Sequence, residues 1–182
     1  MDSPAQQDRP RSIAAWLRRE ALPLLVLLLL LGTARASFAN HYQVPSGSMQ
    51  PTLQPGDRVA VDMSAYGLRV PFTRHVLVQR GVPRRGDVAV FNSPADGVRL
   101  IKRVVAVAGD HVRLRDGRLT INDVPLALDD GAPVEDFGTR LARLDLADGG
   151  GPDIPGVVVP PGHVLVLGDH RGRSADGRWF GF

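Results

Sequence analysis

The chemistry that this sequence suggests begins with one residue, Lys102. Of the 22 basic residues, 21 are arginines and Lys102 is the only lysine. Arginine stays protonated in proteins, whereas a lysine buried among apolar groups can lose its proton near neutral pH. In an alternating strand, Lys102 would share a face with Leu100 and Val104, while Arg103 would face the other way. The pattern is consistent with a general base, although taken alone it fits a solvent-exposed lysine on an edge strand at least as well.

A serine that such a base could activate lies in the run from Val44 to Leu53, Val-Pro-Ser-Gly-Ser-Met-Gln-Pro-Thr-Leu. Two serines, Ser46 and Ser48, flank Gly47. Proline fixes φ on either side of them, and glycine allows a close approach of the backbone. A rigid loop of this kind could present a hydroxyl and aim N–H groups at one point. An ordinary Ser/Pro turn is the alternative.

A third polar cluster spans Gly168 to Arg178, Gly-Asp-His-Arg-Gly-Arg-Ser-Ala-Asp-Gly-Arg. Its charged side chains could hold the loop together by charge-assisted hydrogen bonds, and Ser174 could orient another side chain. A solvated charged turn is the plainer interpretation. A Ser-His-Asp triad that uses Asp169 and His170 also stays open, although nothing in the sequence singles it out.

Composition narrows the classes of function. The chain has no cysteine, which excludes disulfides, thiolate metal sites and a cysteine nucleophile. Its net charge of +3 comes from arginines scattered among acids, which does not favour a nucleic-acid binder. The histidines form no metal-like pair at helical spacing, so we expect no metal and no other cofactor.

The N-terminal segment predicts a membrane anchor. Residues 1–20 form a basic tail, and residues 21–39 carry a single charge, Arg35. This length is close to what a bilayer needs, and arginines before the segment place the tail in the cytoplasm. A cleavable secretory signal ending at Ala34-Arg-Ala36 is one alternative. A buried core helix is another, which the lack of a polar face disfavours.

Residues 40–182 predict an all-β domain, because short runs rich in Val and Leu alternate with Gly, Pro and Asp. The predicted strands are Arg58–Met63, Asp87–Asn92, Val98–Val107, His111–Leu114, Arg118–Ile121 and His163–Leu167. The acidic stretch 129–156 lacks periodicity. It is interpreted as a surface insertion or flexible loop, with a short helix around Phe137–Leu146.

The three clusters, in this order, resemble the bacterial signal peptidase I family. The nucleophile box of that family matches Pro45–Leu53, its lysine box resembles Leu100–Asp110, and its third box resembles Gly168–Arg178. The runs Arg85–Phe91 and Val159–His163 are also similar, and the resemblance extends from Gly32 to Phe182. The third box departs from the family pattern at His170, Gly172, Arg173 and Gly177.

The resemblance implies a role for each matched residue. Ser48 would be the nucleophile and Lys102 its base, while the Ser46 hydroxyl and the Ser48 N–H would form the oxyanion hole. Ser174 would orient Lys102. The supporting residues would be an ion pair of Asp176 with Arg178, and Arg103. The residues lining shallow pockets for small substrate side chains would be Val44, Pro45, Leu53, Leu100 and Ile101.

The resemblance also implies a fold and a function. The fold would be a signal-peptidase-like β-barrel or sandwich with one N-terminal transmembrane helix. The protein would be a single-span endopeptidase of the bacterial inner membrane that removes signal peptides from exported preproteins on the extracytoplasmic side. Its partners would be preproteins and the lipid bilayer, without nucleic acid. Relatives usually continue beyond the position of Phe182 with another strand, so the chain would be a minimal form or a truncated one.

Three alternatives to this function remain at the level of sequence. One is a specialised peptidase of the same chemistry that processes a pilin or conjugation substrate. Another is a self-cleaving regulator of the LexA type, which the apolar N-terminal run and the lack of a DNA-binding helical domain disfavour. The third is a catalytically inactive, membrane-anchored binding domain.

Overall fold

The apolar runs between Gly, Pro and Asp residues form short strands. The computed structural model describes residues 17–37, 40–62, 64–69, 76–78, 80–128 and 133–182. Within these ranges the strands are β1 (Asn40–Gln43), β2 (Arg58–Val61), β3 (Leu68–Arg69), β4 (Val76–Val78), β5 (Val88–Asn92), β6 (Arg99–Val107), β7 (His111–Arg115), β8 (Arg118–Ile121), β9 (Val124–Pro125), β10 (Val134–Asp136), β11 (Leu141–Arg143), β12 (Ile154–Val158) and β13 (Val164–Leu167). The helices are α1 (Leu22–Ser37), which follows a π-helical turn at Leu17–Ala21, and α2 (Gly177–Phe180).

The strands pair in antiparallel fashion into five small sheets among the described residues. A three-stranded sheet has the order β13-β6-β5 and a four-stranded sheet the order β12-β7-β8-β9. The pairs β1-β2, β3-β4 and β10-β11 complete the set. The prediction of a domain built mainly from β-strands is confirmed. The described strands form open sheets and do not close into the barrel that was one of the expected forms.

The main apolar core joins the three-stranded and four-stranded sheets. In β7 and β8 every second residue is buried, as expected for strands with one face turned inward. The fully buried side chains from these sheets are Val105, Ala106, Val112, Leu114, Leu119, Ile121, Leu165 and Leu167. This core supports β6 and the end of β13, the two elements from which the lysine and the third polar cluster extend.

Strand β6 is buried on both faces over much of its length. Residues Ile101 to Ala106 are all buried, so that Arg103 is as inaccessible as Lys102. The alternation expected from sequence therefore places the two charged side chains on opposite faces of β6, but both faces are buried at these positions. The backbone of Lys102 lies opposite Ala89 of β5, and that of Arg103 lies between Val88 of β5 and Leu167 of β13.

The helix expected within Phe137–Leu146 is wrong. Leu141–Arg143 is a strand that pairs with Val134–Asp136, and β12 also belongs to the stretch interpreted as a loop. The turn of the hairpin contains Gly138, whose φ of +85° favours glycine. Pairing buries Ala142 and Glu135, which a solvated loop or helix at this position would leave exposed.

The chain divides into two compact units, one within 1–39 and 62–80 and the other comprising 40–61 and 81–182. The first contains α1 and the β3-β4 pair, and the leucines of α1 whose side chains are described are exposed. Among the described residues, no helix combines the length and the apolar character needed to cross a bilayer. The anchor at 21–39 stays a prediction, and most of the basic tail lies outside the described residues.

A matched pair of leucines tests the position of the core. We expect Leu114→Ala to lower the free energy of unfolding by about 2–5 kcal/mol, because it leaves a cavity in a well-packed interior. Leu141→Ala, at a side chain 61% exposed, should change it by less than about 0.5 kcal/mol. Urea unfolding followed by circular dichroism measures both. Equal losses would contradict the assignment of Leu114 to the core.

Candidate active site

Ser48 lies in a short 3-10 turn, Gly47–Met49, directly after Pro45 and Ser46. Apolar anchors hold this turn in place: Val44 and Met49 are buried against Ile101 of β6. Backbone hydrogen bonds from Val44 N to Asp57 O and from Leu53 N to Met49 O close the loop on itself. The serine side chain is thus fixed at the surface of β6, with little exposure to solvent.

Lys102 projects from β6 directly toward this serine. Its Nζ lies 2.6 Å from Oγ of Ser48, and its side chain is almost completely buried, with 3% of the residue exposed. The two residues are 54 positions apart in the sequence, so only the tertiary structure brings them together. The short distance allows direct transfer of a proton between the hydroxyl and the amine.

Burial lowers the pKa of Lys102 from 10.5 to about 8. Asp176 and Asp169 act in the opposite direction, while Arg178 lowers the pKa further. A pKa of about 8 leaves roughly a tenth of the amines neutral at pH 7, compared with about 0.03% at the ordinary value. The structure therefore provides the neutral amine that a general base requires.

Ser46 lies beside the Ser48 hydroxyl and is exposed. Its Oγ is 3.4 Å from Oγ of Ser48 and can donate a long hydrogen bond to it. The first N–H groups of a helical turn have no partner within the turn. The Ser48 N–H therefore has no partner within the turn, and the oxyanion hole that it would form with the Ser46 hydroxyl stays a prediction.

Ser174 is buried against Gly168. Its Oγ has no hydrogen-bond partner among the described residues, and no bond to Lys102 is formed. Gly168 lies against it, and a Cβ at this glycine would overlap with Oγ of Ser174 and with the carbonyl oxygen of Ser48. The structure thus places Ser174 at the site, and its expected role in orienting Lys102 stays a prediction.

Asp176 and Arg178 form a fully buried ion pair within the loop that follows β13. Oδ1 and Oδ2 of Asp176 each accept a hydrogen bond of 2.8 Å from the guanidinium. Oδ2 also accepts the N–H of Gly168, and Arg178 donates to the carbonyls of Gly150 and Arg171. The pair therefore fixes the backbone of the loop that follows β13.

Arg103 and Asp169 form a second buried pair. The Nε and Nη2 atoms of Arg103 donate to the two oxygens of Asp169 at 2.8 and 2.7 Å. The Nη1 atom donates to the carbonyl of Gly86, and Thr52 donates its hydroxyl proton to Asp169. Arg103 thus joins β6 to the loop containing Ser48 and to the third cluster. Thr52 was not identified from the sequence, because a threonine in a Pro-Thr-Leu run carries no signal of such a contact.

His170 contributes to the site through its backbone. Its N–H donates to the carbonyl of Ser48 at 3.2 Å, whereas its ring faces the other way, with Nε2 3.0 Å from Oδ2 of Asp148. Neither ring nitrogen forms a hydrogen bond with a described serine. The geometry therefore favours the Ser48/Lys102 pair over a Ser-His-Asp triad.

Packing explains two of the departures from the family pattern. A Cβ at Gly172 would overlap with the backbone of Asp148, and a Cβ at Gly177 would come within 2.7 Å of Leu165 and 2.9 Å of the Val166 carbonyl. Glycine is therefore required at both positions in this chain. Arg173 is exposed near Asp148, and its side chain has no contact with the dyad.

Three of the five predicted pocket residues come together. Val44 and Ile101 are buried in one small apolar cluster with Met49, and Leu53 packs against it. Leu100 projects from the opposite face of β6 and Pro45 is exposed, so neither joins this cluster. The described residues contain no group of three His, Cys, Asp or Glu side chains that could hold a metal ion.

Removal of the buried amine should stabilise the protein. The pKa of Lys102 is lower in the folded chain than in the unfolded one, so burial of the charged amine lowers the free energy of unfolding. This loss of stability is full below pH 8 and shrinks to zero as the pH rises from 8 to above 10.5. We expect Lys102→Met to raise the free energy of unfolding by about 1–3 kcal/mol at pH 7. Denaturant unfolding at pH 7 and pH 10 measures the gain. A gain that did not shrink at high pH would contradict the assignment.

Comparison with known proteins places the chain in a family. A family model described as signal peptidase, peptidase S26, matches residues 17–182. The chain is 35% identical over 179 residues to signal peptidase I of Pseudomonas fluorescens, covering 87% of this chain and 60% of that protein. It is 36% identical over 200 residues to signal peptidase I of Mycobacterium tuberculosis, covering 96% and 67%.

The chain thus spans about three fifths of the length of the Pseudomonas relative. A crystal structure of a signal peptidase I from Enterococcus faecalis is 33% identical, with a TM-score of 0.39 and coverage of 56% of this chain and 89% of that one. The family model extends over both the serine turn and the third polar cluster. This chain therefore belongs to the signal peptidase family, peptidase S26.

Proposed function

We propose that this chain is a serine endopeptidase that removes N-terminal signal peptides from exported preproteins, with Ser48 as nucleophile and Lys102 as general base. The observation that carries the proposal is the 2.6 Å contact between the Lys102 amine and the Ser48 hydroxyl. The names of the similar proteins from Pseudomonas and Mycobacterium, signal peptidase I, supply the substrate class.

In the first half of the reaction, neutral Lys102 takes the proton of the Ser48 hydroxyl while Oγ attacks the carbonyl carbon at the cleavage site. The oxygen of that carbonyl becomes negatively charged in the tetrahedral intermediate. The Ser46 hydroxyl and the Ser48 N–H donate to this oxygen, where such donors have their largest effect on the barrier. Collapse of the intermediate transfers the proton from Lys102 to the leaving amine and leaves an acyl-enzyme.

In the second half, Lys102 deprotonates a water molecule that attacks the acyl-enzyme. The same two donors stabilise the second tetrahedral intermediate, and the proton returns to Oγ of Ser48 as the signal peptide leaves. Ser174, which is buried against Gly168 near the Ser48 carbonyl, would orient Lys102 when a substrate is bound. No metal or organic cofactor takes part in this sequence.

The substrate would bind as an extended peptide beside β6. Strand β13 pairs with β6 only from Arg103 to Val107, so the segment Arg99–Lys102 has a described partner strand on one side only, β5. The apolar cluster of Val44, Leu53 and Ile101 lies next to Ser48 and suits small substrate side chains. Small residues at these positions are typical of the Ala-x-Ala end of a signal peptide.

The N-terminal segment would keep the enzyme near its substrate. In this proposal residues 21–39 anchor the chain in the inner membrane, residues 1–20 lie in the cytoplasm, and residues 40–182 lie on the extracytoplasmic side. The basic tail before the apolar segment supports that orientation. A signal peptide also spans this membrane, so anchoring would hold the dyad where its cleavage region emerges.

Substitution of the dyad tests the proposal directly. With the full chain in detergent or lipid and a panel of unrelated preproteins, we expect wild type to cleave, and Ser48→Ala and Lys102→Arg to lose at least about 10³-fold in kcat/KM. Arginine keeps the charge but cannot take a proton. Arg115→Lys, at an exposed position of β7, serves as the matched control and should cleave normally. Full activity of Lys102→Arg would disprove the mechanism.

The pH dependence tests the state of the amine. Because only neutral Lys102 acts as the base, kcat/KM should rise about tenfold per pH unit below pH 7 and level off above a midpoint of about 8. The measurement is cleavage of a signal-peptide substrate from pH 5.5 to 10. A midpoint near 10.5 would show that the amine is not desolvated as the structure indicates.

A further inference from the structure

Another buried ion pair, Glu135–Arg171, lies outside the residues that the sequence assigned to the site. The two side chains are 2% and 0% exposed. Oε1 and Oε2 of Glu135 accept hydrogen bonds of 3.0 and 2.6 Å from Nη1 and Nη2 of Arg171. Oε1 also accepts the N–H of Leu119 at 3.1 Å. Glu135 thus fixes the plane and orientation of the guanidinium from the β10-β11 hairpin.

The guanidinium of Arg171 transfers this constraint to the third cluster. Its Nε donates to the carbonyl of Gly168 at 3.1 Å, and its Nη1 donates to the carbonyl of Gly117. The carbonyl of Arg171 in turn accepts from Arg178, the partner of Asp176. All three nitrogens of Arg171 are therefore engaged, and rotation of the guanidinium would break several bonds at once.

Gly168 is the point at which this network contacts the reacting groups. There is no space for even a Cβ between Gly168 and the neighbouring Ser48 carbonyl and Ser174 hydroxyl. Two residues further on, the N–H of His170 donates to the same Ser48 carbonyl. A small shift of the Gly168 backbone would therefore move Ser48 and open the space around the Lys102 amine.

We propose that Glu135 is a positioning residue for the Ser48/Lys102 site, acting through Arg171 on the backbone of Gly168. This inference rests on the proposed function for its effect on turnover, but not for its effect on the Lys102 environment. A buried ion pair is a poor source of stability, because desolvation of both charges offsets their attraction. An apolar pair of similar size would lack the hydrogen bond to the Gly168 carbonyl, and so would not fix the position of that backbone.

The test separates geometry from stability. In the double variant Glu135→Leu/Arg171→Met the buried charges disappear together, which costs less stability than removal of one partner alone. We expect this variant to fold with a lower melting temperature, because the Leu119 N–H and the Gly117 and Gly168 carbonyls lose their partners. It should also lose about tenfold or more in kcat on a signal-peptide substrate, with KM changed less than twofold. Ile121→Ala, a truncation at a core side chain that takes no part in the hydrogen bonds of the network, is the control that should lose stability and keep kcat.

The single lysine supplies a readout that does not need activity. Incorporation of ¹³Cε-lysine into the full chain gives one side-chain signal, that of Lys102, whose titration can be followed by NMR. Loosening of Gly168 admits water to the amine, so the titration midpoint should move upward in the double variant. It should stay at the wild-type value in Ile121→Ala.

The outcomes are distinct. A folded double variant with unchanged kcat and an unchanged Lys102 titration overturns the positioning role. If wild type cleaves no preprotein, the proposed function fails, and the titration alone decides the positioning role. If the double variant does not fold, Arg171→Lys takes its place, because it keeps a charge for Glu135 but cannot also reach the Gly168 carbonyl. The same shift in titration is then expected, and its absence overturns the inference.

Discussion

The removal of the Lys102 amine from water is the constraint on which the rest of this structure depends. A lysine becomes a base near neutral pH only where solvation of its charged form is lost. Nearby carboxylates would restore the proton, and two of them, Asp169 and Asp176, do act on Lys102 in that direction. Each is bound by its own arginine, Arg103 or Arg178, at hydrogen-bonding distance. The paired arginines limit the effect of these carboxylates and leave desolvation as the dominant influence.

The same pairs also set the geometry. Ser48 belongs to the turn Gly47–Met49, Lys102 to the middle of β6, and the third cluster to the loop after β13. Hydrogen bonds from Arg103 to Asp169 and Thr52, and from the His170 N–H to the Ser48 carbonyl, hold these three segments in contact with one another. The proposed contribution of Glu135 extends this network to the β10-β11 hairpin. The Ser48 hydroxyl and the Lys102 amine, the proposed nucleophile and base, thus meet at 2.6 Å although they come from distant segments.

This arrangement has a thermodynamic cost. A buried amine, several buried ion pairs and a Ser174 hydroxyl without a partner among the described residues all cost desolvation energy. The apolar core between the three-stranded and four-stranded sheets offsets that cost, since β6 and β13 contribute to the core and to the site at once. The same strands therefore contribute to the core and hold the groups of the candidate site.

The sequence alone determined the residues whose chemistry is intrinsic to their type. A single lysine in an apolar run, serines between prolines, and three boxes in order led to the prediction of Ser48 with Lys102 and of Asp176 with Arg178. The structure brings each of these two pairs into hydrogen-bonding contact. The strands β6 and β8 followed from their β-branched and apolar residues between turn glycines. These features are local, so neighbouring residues in the sequence are sufficient to predict them.

Only the tertiary structure decided what is buried and what pairs with it. Glu135 lies in an acidic stretch that is typical of a solvated loop, yet its partner Arg171, 36 residues away, makes it part of the interior. The segment 141–143 is a strand because it pairs with Val134–Asp136, and no pattern among neighbouring residues predicts that pairing. The glycines at 172 and 177 are required by backbone that packs against them. In each case the deciding contact is non-local, and burial is a property of the whole fold.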